Sequence, residues 1–183
     1  MAEKIKNDRL SSAVCFVLML VMVAGALLNG AGKAYAQKRT AVDQAWKECV
    51  ASVQERTETA YNLLTVAGRY LSPEDADYAK VAEDLKSLQN AESTGSCVSV
   101  TVFKADATAL LTKLAAMENV KKDSRDSMYV TQMLPQAVEQ CSGIEAISAY
   151  NTAADNYNSS LNSFSGFLAG LAGATRATVF SEN

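Results

Sequence analysis

Residues 150–171 read YNTAADNYNSSLNSFSGFLAGL. Tyr150, Tyr157, Phe164 and Leu171 recur every seven residues, and Ala154, Leu161 and Leu168 each follow one of them by four. At about 3.6 residues per turn, this 4-3 alternation gathers all seven on one stripe of a helix. Asn151, Asp155, Asn156, Asn158, Ser159 and Asn162 take the remaining faces. A stripe this bulky needs partner helices to cover it, so the rest of the chain is expected to supply them.

Upstream, Leu134, Val138, Cys141, Ile144 and Ile147 lead into the seam, and Pro135 marks either a first turn or a kink. The last helix is therefore expected to begin between Arg125 and Gln136 and to run on through the seam. Lys121-Lys122-Asp123-Ser124 reads as a turn. Before it, CVSVTVF (Cys97–Phe103) alternates like a strand, but a lone strand has no partner here. The stretch 97–121 is read as helix, with Val102, Ala105, Ala109, Leu110, Leu114, Met117 and Val120 as its stripe. Glu92–Ser96 is the clearest loop.

A helix over Glu74–Asn90 carries Tyr78, Val81, Leu85 and Leu88. Ser72-Pro73-Glu74-Asp75 starts it, with Ser72 as cap and Pro73 at the first helical position. Residues 38–71 hold the 3-4 rhythm from Val42 to Leu71 over about 50 Å, interrupted once by Arg56. Four amphipathic segments with short connections define an all-α fold: an antiparallel helical bundle of about four helices, two of them long.

The N-terminal segment is of another kind. Leu10–Leu28 contains no charge over nineteen residues, about the length that crosses a hydrocarbon core. Lys4, Lys6 and Arg9 precede it, and Ala34-Tyr35-Ala36 before Gln37 fits a small-x-small cleavage site. Two readings stand: a retained single-pass anchor, or a signal segment cut after Ala36 that releases a secreted or periplasmic protein. Lys33, Lys38 and Arg39 balance the basic residues on the other side, so the charges leave the orientation open. The chain divides as 1–36, anchor or signal, and 37–183, the bundle domain.

Composition bounds the chemistry. The chain has a net charge of -3 and no histidine, so the commonest general base and zinc ligand are missing. Lys and Arg are scattered, which does not point to nucleic acid. Asp75, Asp77, Glu83 and Asp84 lack the spacing of a calcium loop and read as a solvated helix face. Cys49 and Cys97 fall level in an antiparallel hairpin, so a disulfide between them is geometrically open if the domain is exported; otherwise they are small core residues like Cys141. Gly166-x3-Gly170 allows close helix packing or a membrane-touching tail. The two Tyr-Asn pairs read first as core tyrosines with the hydroxyl at the rim, and second as ligand contacts.

At its two ends the chain resembles the LemA family. The resemblance rests on Tyr35, Val42, Ala45-Trp46, Tyr61-Asn62-Leu63-Leu64 and Gly68–Tyr70 near the start, and on Tyr150-Asn151, Tyr157-Asn158, Phe164, Leu168 and Phe180 near the end. It departs at Ala60–Asn62 and at Ser165, where the family carries proline. The resemblance implies a membrane helix running almost directly into the first long helix of a bundle, with no established enzyme activity and no cofactor. The expected function is a non-enzymatic, membrane-tethered scaffold or adaptor of the bacterial envelope, attached through Leu10–Leu28 and binding protein partners. The alternative is a soluble bundle, freed at Ala36, that holds a small apolar ligand or a partner helix.

Overall fold

The computed structural model describes residues 2–183, with side chains described from residue 14 onward. The first four of the apolar residues 10–28 therefore lie outside the described side chains. Among the described residues the fold is all-α apart from two short bridged strands. In order the elements are α1 (Ala2–Ala67), α2 (Ala76–Gln89), α3 (Ala91–Thr94), β1 (Ser96–Cys97), α4 (Val100–Ala116), α5 (Glu118–Lys122) and α6 (Ser124–Met128). A π-helical turn (Tyr129–Met133), α7 (Leu134–Gln140), α8 (Ile144–Ser160), α9 (Phe164–Leu171) and β2 (Ser181–Glu182) follow.

The chain forms two compact units, one of residues 1–42 and 154–177 and the other of residues 43–153 and 178–183. The boundaries fall within α1 and α8.

The larger unit holds a continuous apolar core. Its α1 segment contributes Cys49, Val53, Ala60, Leu63 and Ala67; α4 contributes Phe103, Ala107, Leu110 and Leu114; all are buried. Helix α2 packs on α4, and α4 on α7. Each large side chain withdrawn from water here contributes about 1.5–3 kcal/mol. Arg56, which breaks the apolar rhythm of α1, points inward and is fully buried. Its Nη1 donates to the Val98 carbonyl at 3.0 Å and to Glu182 Oε1 at 3.1 Å. Its Nε and Nη2 are buried without a hydrogen-bond partner.

Several boundaries differ from expectation. Helix α2 is capped by Asp75, not Ser72; the Asp75 carboxylate accepts from the Asp77 and Tyr78 amides. The same carboxylate receives Lys113 Nζ from α4 at 2.7 Å, and the Lys113 hydrogen bond holds its pKa below the usual carboxylate value. Cys97 is not helical: the partner a strand needs exists at the C-terminus, where Ser181 and Glu182 pair in parallel with Ser96 and Cys97. Helix α4 starts only after Ser99, whose hydroxyl accepts from the Val102 amide.

The expected last helix is broken three times. The π turn precedes Pro135, whose missing N–H and bulky ring are incompatible with a regular turn ahead of it. Gly143 then separates α7 from α8 with φ 144°, and a Cβ there would lie 2.9 Å from Ser52 Oγ. Finally, Ser163 caps a new helix by accepting from the Gly166 amide. The seam is therefore not one stripe: Tyr150, Ala154 and Tyr157 are buried on α8, while Phe164 and Leu171 of α9 are exposed.

Candidate functional site

The two Tyr-Asn pairs do related work from α8, each within its own unit. In the larger unit, the Asn151 side chain clamps the backbone of Phe180: Nδ2 donates to the carbonyl at 2.7 Å, and Oδ1 accepts from the amide at 2.8 Å. Tyr150, buried, donates its hydroxyl to the Thr178 carbonyl at 2.5 Å. In the smaller unit, Asn158 grips Ala177 in the same two-point manner, at 2.8 Å in both directions. An amide side chain alone can mimic a strand partner in this way, donating and accepting at once.

The spacing has a simple origin. Seven residues of helix rise about 10.5 Å. Three residues of extended chain span about 10 Å. Asparagines seven apart on α8 therefore suit backbone groups three apart on the tail, Ala177 and Phe180. The asparagines serve the fold, so the reading of these pairs as ligand contacts is replaced by an intramolecular one.

The clamp at Phe180 builds the wall of an apolar groove. The Phe180 ring lies 5.8 Å from the Trp46 ring, and Trp46 lies 4.9 Å from the Tyr150 ring, centroid to centroid. Trp46, Val50 and Val53 of α1, Leu88 of α2, Ala91 of α3 and Phe180 line a cavity of about 290 Å³. Gln54, Thr57, Gln89 and Glu92 add polar groups, so the charge at this groove is acidic. Small-molecule pockets are typically about 300–1,000 Å³ and mostly apolar with a few polar groups. This groove is just below that range and has the matching lining. Of the other resemblance residues, Ala45 lies half-buried beside Trp46 in sequence, and Phe164 lies elsewhere, on α9.

Cys49 borders the groove and is buried, as are Cys97 and Cys141; all are free thiols. Burial pushes the Cys49 thiol up to about 11, with Cys97 the next contributor in the same direction. Burial raises Cys97 as well, against a lowering by Arg56. Such thiols are poor nucleophiles near neutral pH.

A second cavity in the larger unit was not foreseen from the sequence. It has a volume of about 350 Å³ and is lined by Arg69, Arg125, Asp126, Tyr129 and Met133 among others. The Asp126 carboxylate is buried and accepts from Arg69 Nη1 at 2.8 and 3.0 Å and from the Tyr70 hydroxyl at 2.8 Å. The hydrogen bond to Asp126 pushes the Tyr70 hydroxyl up to about 12. These contacts tie α6 to the end of α1, and every partner of the acid is already engaged in structure.

Of the four acids expected on a solvated face only Glu83 is exposed: Asp75 and Asp77 are half-buried against Lys113, and Asp84 departs furthest. Asp84 is buried, its Oδ2 has no hydrogen-bond partner, and burial raises its pKa to about 6, helped by Asp106 and Glu83. It sits on the side of α2 that meets α4, where a carboxylate has lost its water. The Gly166-x3-Gly170 pair is not a joint packing seam: a Cβ at Gly166 would overlap Leu161, whereas Gly170 faces open space.

Fold and groove together define an all-α chain with one long N-terminal apolar helix that fits a membrane anchor or a signal sequence. Compared with known proteins, the chain matches no family model, no curated protein and no solved structure.

Proposed function

We propose that this chain is a divergent LemA-like protein: a non-enzymatic helical bundle that keeps its N-terminal helix as a membrane anchor and serves as a scaffold or adaptor for other envelope proteins. One observation carries the reading. Tyr35 precedes the Ala36–Gln37 bond, yet it is only 3 % exposed. Its hydroxyl donates to the Ser160 carbonyl at 2.5 Å and lies 3.1 Å from Ser163 Oγ, and its ring meets Tyr157 edge-on at 6.3 Å. Cutting after Ala36 would remove a residue around which α8 and α9 pack. The side chains of Val14–Val23 and Leu27 support the same reading, because most are more than half exposed in this chain alone and a bilayer would cover them.

The adaptor role draws on the groove at Trp46 and Phe180, which suits an apolar side chain or short apolar segment of a partner. That groove also favours a second reading, a soluble bundle released at Ala36 that holds a small apolar ligand or a partner helix.

The test compares the whole chain, in detergent micelles, with a chain beginning at Gln37. Loss of Tyr35 should lower the melting temperature of the shortened chain and expose the amides around Ser160–Gly166 to hydrogen exchange. A shortened chain with equal stability and equal protection there would remove the support for retention.

A further inference from the structure

We infer that α9 is an interfacial foot, a short helix that lies in the headgroup layer of an anionic bilayer beside the point where α1 emerges. The inference rests on the proposed retention of the apolar helix. Its starting point is the exposure of α9. Phe164, Phe167 and Leu171 are 76 %, 60 % and 65 % exposed, at the i, i+3, i+7 spacing of one helix face. The opposite face, Gly166 and Ala169, is buried. An exposed face with two phenylalanines and a leucine is costly in water and is the face an interfacial helix presents to lipid.

The position of α9 along α1 selects the bilayer as its occupant. Ala172, directly after α9, packs against Gly32, where a Cβ would lie 3.3 Å from the Ala172 Cβ. Ser163, directly before α9, meets the Tyr35 hydroxyl at 3.1 Å. Over its length of about 13 Å, α9 meets α1 at positions only about 4.5 Å apart, so it crosses α1 steeply, with its Leu171 end toward the apolar run. At about 1.5 Å per residue, Gly32 lies about 6 Å beyond Leu28 and Tyr35 about 10 Å beyond it. The headgroup layer extends about 5–8 Å beyond the hydrocarbon core on each side, and interfacial helices lie at that level. The Leu171 end is thus placed at that level, continuous with the span.

The charge of the same unit fits an anionic surface. In residues 14–42 and 154–177 the bases are Lys33, Lys38, Arg39 and Arg176, and the only acid is Asp155, in a chain whose net charge is -3. Lys33 and Arg176 are exposed beside the foot. Basic residues at this level are attracted to acidic lipid headgroups.

The experiment reconstitutes the full chain in vesicles of phosphatidylcholine and phosphatidylglycerol, with and without acyl-chain-brominated phosphatidylcholine. Two variants, F167W and V21W, are read as differences from the unsubstituted protein, whose single tryptophan is Trp46. Both positions are exposed, so tryptophan disturbs no packing. The expected result is blue-shifted emission and severalfold quenching by brominated lipid for both variants. Quenching of V21W without F167W would overturn the foot and leave the anchor standing. Quenching of F167W without V21W would overturn the anchor and, with it, the placement of the foot beside an emerging α1. Quenching of neither would overturn both.

Discussion

Replacing Asn151 with alanine tests how the tail and the groove are built. Its side chain makes two hydrogen bonds to Phe180, at 2.7 and 2.8 Å. A neutral hydrogen bond contributes about 0.5–1.5 kcal/mol net, and the stranded half-buried partners add a desolvation cost. N151A should therefore cost about 2–3 kcal/mol. At about 2–4 °C per kcal/mol for a chain of this size, the melting temperature should fall by about 4–12 °C. N151D sharpens the test. It keeps the acceptor for the Phe180 amide, loses the donor and sets a charged oxygen against the Phe180 carbonyl, so it should cost at least as much. The assays are thermal unfolding and hydrogen exchange at the Phe180 amide, whose protection should collapse in N151A. The fluorescence of Trp46 should also change, because Phe180 packs 5.8 Å from its ring. Unchanged melting and unchanged Phe180 protection in both variants would refute the clamp.

Three further outcomes follow from buried groups. Asp84 keeps its proton up to about pH 6 in the fold, against 3.8 when unperturbed, so the native state binds more protons across that window and stability falls as pH rises through it. D84N should match the parent near pH 4 and exceed it by about 2–3 kcal/mol above pH 7, measured by urea unfolding at both pH values. G143A should cost about 2 kcal/mol or more in the same assay, because φ 144° and the 2.9 Å approach to Ser52 Oγ exclude a Cβ. E182A should cost about 3 kcal/mol by leaving the buried Arg56 guanidinium without its acid, and R56M with E182A should recover most of that loss in a double-mutant cycle.

Much of the helical order is legible in the sequence, because the apolar rhythm of α1, α2 and α4 is long and local. Tertiary partners decide the rest. Ser96-Cys97 forms a bridge only because Ser181-Glu182 returns alongside it, and no window of residues around Cys97 contains that fact. The seam at Tyr150–Leu171 keeps its heptad spacing across Ser163, yet the Ser163 cap starts a second helix and frees Phe164 and Leu171 from the core. The Tyr-Asn repeat is visible as a pattern, but its purpose requires the tail, since Asn158 and Asn151 bond to the backbone of Ala177 and Phe180 rather than to side chains. Arg56 left a trace that Asp84 did not. Arg56 stands as the single charge on an apolar stripe, and its burial could have been read from that. Asp84 sits among other acids and looks solvated until α4 covers it.

The central claim is that the N-terminal helix stays with the protein and tethers it. The direct measurement is the intact mass of the native protein from a membrane fraction washed at high pH. The account predicts a chain beginning at or near Met1 that resists extraction. A chain beginning at Gln37, recovered in a soluble exported fraction, would contradict it.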